Sequence, residues 1–310
     1  MQKTEITKSL NINELRKEAL GVDNDYPIES ENKKNEQAVI NFDNDPNEHM
    51  PEIIGNEPIV VFWGPKTCGK TVAISRLSRY LNKNHYVVKP DKQFIRKPYY
   101  EALCDRFDRI IAGNTAPKGN GEIDFLLLQV TKNGKKICHL LEAPGEHYFS
   151  VNDPDAEFKT YFSSIVSSDV PKVYVFFLEI IDIDSQQNRQ KYSERIANFI
   201  GNIRKNDFIV LLCNKADLKT MYGYLHNGKP EIQKFKKDVQ NLYPAIFNKL
   251  GRKGFLKFFL AESYAYDLVV FSAGSFPKKM DGENAFVQSP DFYPETLWKS
   301  ISKGLRGSWF

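Results

Sequence analysis

The sequence predicts an α/β fold with a mainly parallel sheet and one antiparallel edge strand. Three observations carry this. The run Ile59-Val60-Val61-Phe62-Trp63 is continuously apolar, as in a strand buried on both faces of a parallel sheet. Strand-like and helix-like segments then alternate to the end of the chain, the signature of βα units. Asn133-Gly134 lies between two apolar runs and predicts a tight hairpin, hence one antiparallel strand.

The elements follow in order. After the strand at 59–63, a glycine-rich loop leads into a helical pattern from 70 to about 81. Residues 98–111 begin with Pro98, a good first helical residue, and read as a second helix. Residues 123–130 are strand-like, the Asn-Gly turn follows, and 137–141 return. A helix near 155–166, a strand at 172–181 and a long helix at 185–203 come next. The apolar segment 208–213 is another strand. One helical stretch spans 231–250. A last strand at 267–271 precedes a closing helix around 294–305. No internal repeat is visible.

Residues 1–56 differ from the rest. They hold twelve Asp/Glu against six Lys/Arg and are rich in Asn. Only 13–20 looks helical, stopped by Gly21, and the segment offers little apolar surface to bury. It reads as a flexible or loosely docked extension, with the folded body at 57–310. The body has 27 acids and 37 bases, dispersed without a long block of like charge. That pattern points to no specific nucleic-acid partner. The amino terminus lacks the apolar core of a signal peptide, and no apolar run is long enough to span a bilayer. Four cysteines at 68, 104, 138 and 213 show no CxxC spacing, so neither a disulfide framework nor a zinc site is expected. A reducing cytoplasm fits.

Three loops carry chemistry, and each follows a strand. The first is Gly64-Pro65-Lys66-Thr67-Cys68-Gly69-Lys70-Thr71, a complete phosphate-loop pattern. Its glycines let backbone N–H groups close around phosphates, and the helix beginning near Lys70 points its positive end at them. Lys70 is expected to reach the β- and γ-phosphates and Thr71 to ligate Mg²⁺. The second is Glu142-Ala143-Pro144-Gly145-Glu146. Gly145 can offer its N–H to the γ-phosphate, and Glu142 can hold a water on Mg²⁺. The third is Asn214-Lys215-Ala216-Asp217. An Asp217 carboxylate would accept from guanine N1–H and the exocyclic amino group, which adenine cannot supply. Ser272-Ala273-Gly274 after the final strand adds an N–H, at Ala273, for guanine O6. His139 and His147 read as a packed strand residue and a loop residue.

These motifs, in this order, make the body resemble the G domain of the Ras-like and translation-factor-like P-loop GTPases. The resemblance implies a three-layer P-loop NTPase fold that binds GTP, GDP and Mg²⁺ and hydrolyses GTP as a switch. It makes 142–145 the switch II motif, 214–217 the base-specificity motif and 272–274 the Ser-Ala-x loop. It also requires a switch I threonine, for which Thr115 is the candidate, as Mg²⁺ ligand and catalytic residue. Lys70 and Glu146 complete the catalytic set. Two residues depart from the family pattern: Glu142 replaces an Asp, and Glu146 stands where Ras-like members carry a water-orienting Gln. The extra negative charge implies slow intrinsic hydrolysis unless a partner or self-association at the switch regions assists. Lys66 is expected to point outward into solvent; turned inward, it would partly offset that charge. Segments before Thr115 and at about 219–265 are longer than in compact members. Two other readings stay open: a GTP/GDP-binding scaffold with negligible turnover, supported by the two glutamates, and a P-loop ATPase or kinase, which Asp217 argues against.

Overall fold

In a computed structural model, the described residues are 54–92, 98–113, 125–179, 186–204, 206–216, 225–226, 229–230, 232–251, 264–275 and 286–306. The expected helix at 13–20 and the candidate site residues Thr115 and Asp217 lie outside them. Within the 219–265 segment, 219–224, 227–228, 231 and 252–263 also lie outside them.

The sheet is built from β1 (Ile59–Trp63), β2 (Tyr86–Pro90), β3 (Leu126–Lys132), β4 (Lys135–Glu142), β5 (Lys172–Leu178), β6 (Phe208–Cys213) and β9 (Tyr266–Val270). Two short two-stranded pieces add β7 (Leu225–His226) with β8 (Lys229–Pro230), and β10 (Gly274–Ser275) with β11 (Val287–Gln288). The order in the main sheet is β2-β3-β4-β1-β5-β6-β9. β4, β1, β5, β6 and β9 are mutually parallel, and β3 runs antiparallel to both of its neighbours. The α/β class and the mainly parallel sheet match the sequence reading. β2 adds what that reading did not single out: it takes the outer edge, so β3 lies second from the edge. β2 is short and ends in Pro90, a residue that strands tolerate chiefly at edges.

The hairpin between β3 and β4 forms as the Asn-Gly pair predicts. Asn133 and Gly134 have φ of 50° and 74°, the left-handed pair that such a turn requires. The helices are α1 (Lys70–Lys83), α2 (Pro98–Ala112), α3 (Thr160–Ser167), α4 (Gln186–Ile200), α5 (Ile232–Leu242), α6 (Pro244–Leu250) and α7 (Phe292–Arg306). The expected single helix over 231–250 is two. Pro244 has no N–H to continue the first and instead starts the second as its first residue.

β1, β5 and β6 are buried along their whole length, which explains the continuous apolar sequence of β1 and β6 and of β5 after Lys172. α1 packs beside α2 and α7. An aromatic cluster fills the other side of β1. Trp63 is fully buried and stacks on Tyr148 with centroids 4.9 Å apart. It also meets Phe162 of α3, Phe176 of β5 and Phe199 of α4 at 5.3, 5.4 and 4.5 Å. Among the described residues no helix is long and apolar enough to cross a membrane.

The parallel strands end level. Phe62 is in register with Glu142, Trp63 with Phe176, and Cys213 with both Leu178 and Val270. The three chemistry-bearing loops therefore emerge along one edge of the sheet, beside the point where β1 separates β4 from β5. Ligands of open α/β sheets bind at such switch points.

α7 closes the body by pressing its backbone onto β6. A Cβ at Gly304 would lie 2.7 Å from Phe208 Cβ. Gly304→Ala therefore tests packing against propensity. Helix propensity alone favours Ala by about 1 kcal/mol, while the overlap costs about 1–3 kcal/mol. Urea denaturation is expected to show a net loss of stability; a gain would mean that α7 stands off the sheet.

Candidate functional site

The loop after β1 curls tightly because its sequence permits it. Thr67 and Gly69 have φ of 65° and 89°, and Gly69 caps α1 from the left-handed region. Space matters as much as torsion. A Cβ at Gly64 would lie 2.4 Å from Cys68 Sγ, and one at Gly69 would lie 2.7 Å from Asn214 Nδ2. The Lys70 ammonium donates to the carbonyls of Gly64 and Pro65 at 2.9 and 3.1 Å. The loop is thus wound around its own lysine, at the positive end of α1. Cys68 is buried, and burial pushes its thiol up to about 11, so it stays protonated and inert.

Thr71 donates a hydrogen bond from Oγ1 to Glu142 Oε1. Glu142 is the last residue of β4 and is 3% exposed. Two of the three residues expected to serve a metal therefore meet. The glutamate's additional methylene carries its carboxylate to the threonine hydroxyl. Among the described residues no group of three or more His, Cys, Asp and Glu could hold a metal ion.

Gly145 opens a 3-10 turn that ends at His147. The turn lies on the phosphate loop: a Cβ on Gly145 would come within 2.3 Å of Lys66 N and 2.5 Å of the Pro65 carbonyl carbon. Any larger residue must push the two segments apart. Glu146 pairs with Lys66, Nζ to Oε1 3.1 Å, with both side chains more than half exposed. Partial burial pushes the Glu146 carboxyl up, but a bond from its own backbone N–H and the Lys66 ammonium outweigh this and hold it below the usual carboxylate range. Lys66 thus points outward into solvent and still neutralises Glu146. Such an exposed pair contributes little stability. His147 Nδ1 lies 2.9 Å from Tyr161 Oη, and His139 is fully buried in β4.

Asn214 joins the first and third loops. It is buried, and its Nδ2 donates to Cys68 O at 2.9 Å. Lys215 takes a left-handed φ of 63° and reaches Glu179 Oε1 at 2.6 Å. Glu179 follows β5 and is held by Tyr243, whose hydroxyl accepts from its N–H at 3.0 Å and donates to its carbonyl at 2.7 Å. The Ala216 N–H donates to Phe271 O at 3.0 Å, which brings the 272–274 loop alongside. Ser272 and Ala273 are buried.

The structure thus unites Gly64, Pro65, Lys66, Thr67, Cys68, Gly69, Lys70, Thr71, Glu142, Gly145, Glu146, Asn214, Lys215, Ser272 and Ala273 along one edge. The sequence reading missed Glu179 and Tyr243, whose link to Lys215 spans distant elements and has no local signal. It also missed the buried contact of Arg76 on α1 with Ser289, whose carbonyl accepts from Arg76 Nη2 at 2.7 Å. Arg76 left a trace: it is a charged residue one turn beyond Ala73 on the apolar face of α1.

No protein-family model matches the chain, and no curated protein matches it in sequence. Solved structures do match. Toc33 from Arabidopsis thaliana in complex with GDP and Mg²⁺ is 14% identical, with 84% of this chain and 91% of that chain covered and a TM-score of 0.44. The GTPase-like domain of S. cerevisiae Ski7, bound to GDP and inorganic phosphate, is 16% identical over 82% and 52% of the two chains, with a TM-score of 0.41. Roco2 RocCORdC of Methanosarcina barkeri, bound to GDP, is 14% identical over 81% and 49%, with a TM-score of 0.35. The present chain thus spans about half the length of the Ski7 and Roco2 chains. In this chain a glycine loop joins β1 to α1 at the C-terminal edge of a mainly parallel seven-stranded sheet.

Asn214→Ala would leave the buried Cys68 carbonyl without its donor. The expected cost is about 1–3 kcal/mol in chemical denaturation, with faster amide exchange confined first to the 64–71 loop. Unchanged exchange there would mean that the loop does not depend on Asn214.

Proposed function

We propose that this chain is a guanine-nucleotide-binding protein that hydrolyses GTP to GDP and phosphate with Mg²⁺ and acts as a molecular switch. The observation that carries the reading is the Asn214–Cys68 hydrogen bond. It ties the loop that would hold phosphates to the loop that contains Asp217. One ligand with a triphosphate and a guanine at the right separation would engage both.

Each residue then has a task. The curled loop and the α1 terminus stabilise phosphate charge, and Lys70 exchanges its loop carbonyls for β- and γ-phosphate oxygens. Thr71 and, through water, Glu142 offer the hard oxygen donors that suit Mg²⁺, and Thr115 is the proposed third. When bound, Mg²⁺ would neutralise charge across the β- and γ-phosphates. Gly145, already seated on the phosphate loop, offers its N–H where a γ-phosphate would lie. Glu146 holds the attacking water. Asp217 reads guanine N1–H and the amino group, and Ala273 N–H reads O6.

The Lys66–Glu146 pair supports a second reading, a GTP/GDP-binding scaffold with negligible turnover. A carboxylate engaged by a solvent-facing lysine is diverted from water. The two readings share a binding prediction and differ in rate.

Nucleotide extracted from the purified protein is expected to be GDP or GTP. Native protein should bind GTP at least about 100-fold more tightly than ATP, and Asp217→Asn should shift preference toward xanthosine nucleotides. Equal affinity for ATP and GTP would sink the guanine assignment. Lys70→Ala should abolish triphosphate binding or turnover.

Single-turnover hydrolysis over a wide range of protein concentration separates switch from scaffold. A slow, Mg²⁺-dependent rate that rises with concentration is expected for a switch aided by self-association at the switch regions. No turnover at any concentration supports the scaffold.

A further inference from the structure

A buried arginine on α1 connects the phosphate end of the candidate site to its base end. Arg76 is 2% exposed. Its Nε lies 3.3 Å from Ser289 Oγ, and its Nη2 donates to Ser289 O and Asp291 Oδ1, each at 2.7 Å. Asp291 also takes Lys83, from the end of the same helix, at 2.6 Å. Burying a guanidinium is costly unless its donors are satisfied. Here they are spent on one short segment, just before α7.

Ser289 passes the hold onward. Its hydroxyl donates to Ser272 O at 2.6 Å, and its N–H donates to Ala273 O at 3.1 Å. The peptide bond is planar and trans, so the Ser272 carbonyl and the Ala273 N–H point in opposite directions within one rigid plate. Gripping the carbonyl therefore aims the N–H. Gly274, at φ 145°, lets the strands close: a Cβ there would lie 2.2 Å from Val287 O. Ser289 thus holds Ser272 and Ala273 from behind, and Arg76 holds Ser289.

We infer that Arg76, acting through Ser289, is a positioning residue that aims the Ala273 N–H at the 6-oxo group of the bound purine. This rests on the guanine reading of the site. It assigns base discrimination in part to the helix that begins at the phosphate loop. The Lys83–Asp291 pair is exposed and serves as an internal control.

The test compares GDP with 2-aminopurine riboside diphosphate, which keeps the 2-amino group and lacks the 6-oxo group and with it the N1 hydrogen; the N1 contact is assigned to Asp217 and is common to every variant, so the change between variants reads the 6-oxo contact. Native protein is expected to favour GDP. Arg76→Met and Ser289→Ala should each cut that preference by about tenfold, the size of one directed hydrogen bond. Arg76→Lys should fall between, since a lysine lacks the planar fork. Lys83→Ala should leave the preference intact. Variants that melt earlier but keep the native GDP preference would overturn the inference, because Arg76 would then be structural only. Ser289→Ala removes a single hydroxyl and decides the matter if Arg76→Met does not fold.

Amide exchange of ligand-free protein gives a readout independent of the base. The Ser289 N–H, held by Ala273 O, should exchange about tenfold faster in Arg76→Met, with β6 unchanged. No change there would refute the brace. Equal native affinity for GDP and ADP would instead refute the guanine reading and leave the exchange result to judge the brace.

Discussion

The structure depends on holding one loop in a shape that backbone sterics resist. Residues 64–71 reverse direction between a buried strand and a helix, with two left-handed residues, Thr67 and Gly69. For Thr67 that conformation is unfavourable. The contacts that offset it come from three directions: Lys70 binds the loop's carbonyls from within, Asn214 binds Cys68 from the third loop, and Gly145 packs on Pro65 and Lys66 from the second. Each contact belongs to a motif for which a ligand-facing task is proposed. The residues that would recognise a nucleotide are therefore the ones that build the cradle.

The glycines show why these motifs were legible. Gly64, Gly69 and Gly145 are required by close approach, and close approach is what a phosphate site needs. Buried strands announced themselves as unbroken apolar runs, because each is covered on both faces. Other features were hidden for equally physical reasons. β2 is a five-residue edge strand with an alternating burial pattern, too short for a clear period. The break at Pro244 falls inside a stretch whose helical character is real on both sides. Arg76 and Ser289 are 213 residues apart in sequence, and only folding brings them together. Motifs report local geometry well, and long-range buttresses poorly.

The two glutamates that depart from the family pattern have different surroundings. Glu142 is buried and joined to Thr71, so its extra length is absorbed inside the site. Glu146 is half-exposed and paired with Lys66 at the mouth of the loop. The two departures are therefore not equivalent: under the proposed function the first would alter how a metal's water shell is held, and the second the charge that an attacking water meets.

The aromatic stack at Trp63 has a mechanical consequence for the turn at Gly145. Tyr148 lies flat on Trp63, and Arg195 of α4 grips the Tyr148 carbonyl at 3.3 Å. Upstream, Glu142 is locked into β4. The five residues from 143 to 147 thus span two fixed anchors. A rearrangement of this turn must act as a short crank between bearings rather than as the melting of a long strap. Its throw is small, and its force passes directly into the cluster beneath β1, so α3 and α4 would be the elements that receive it.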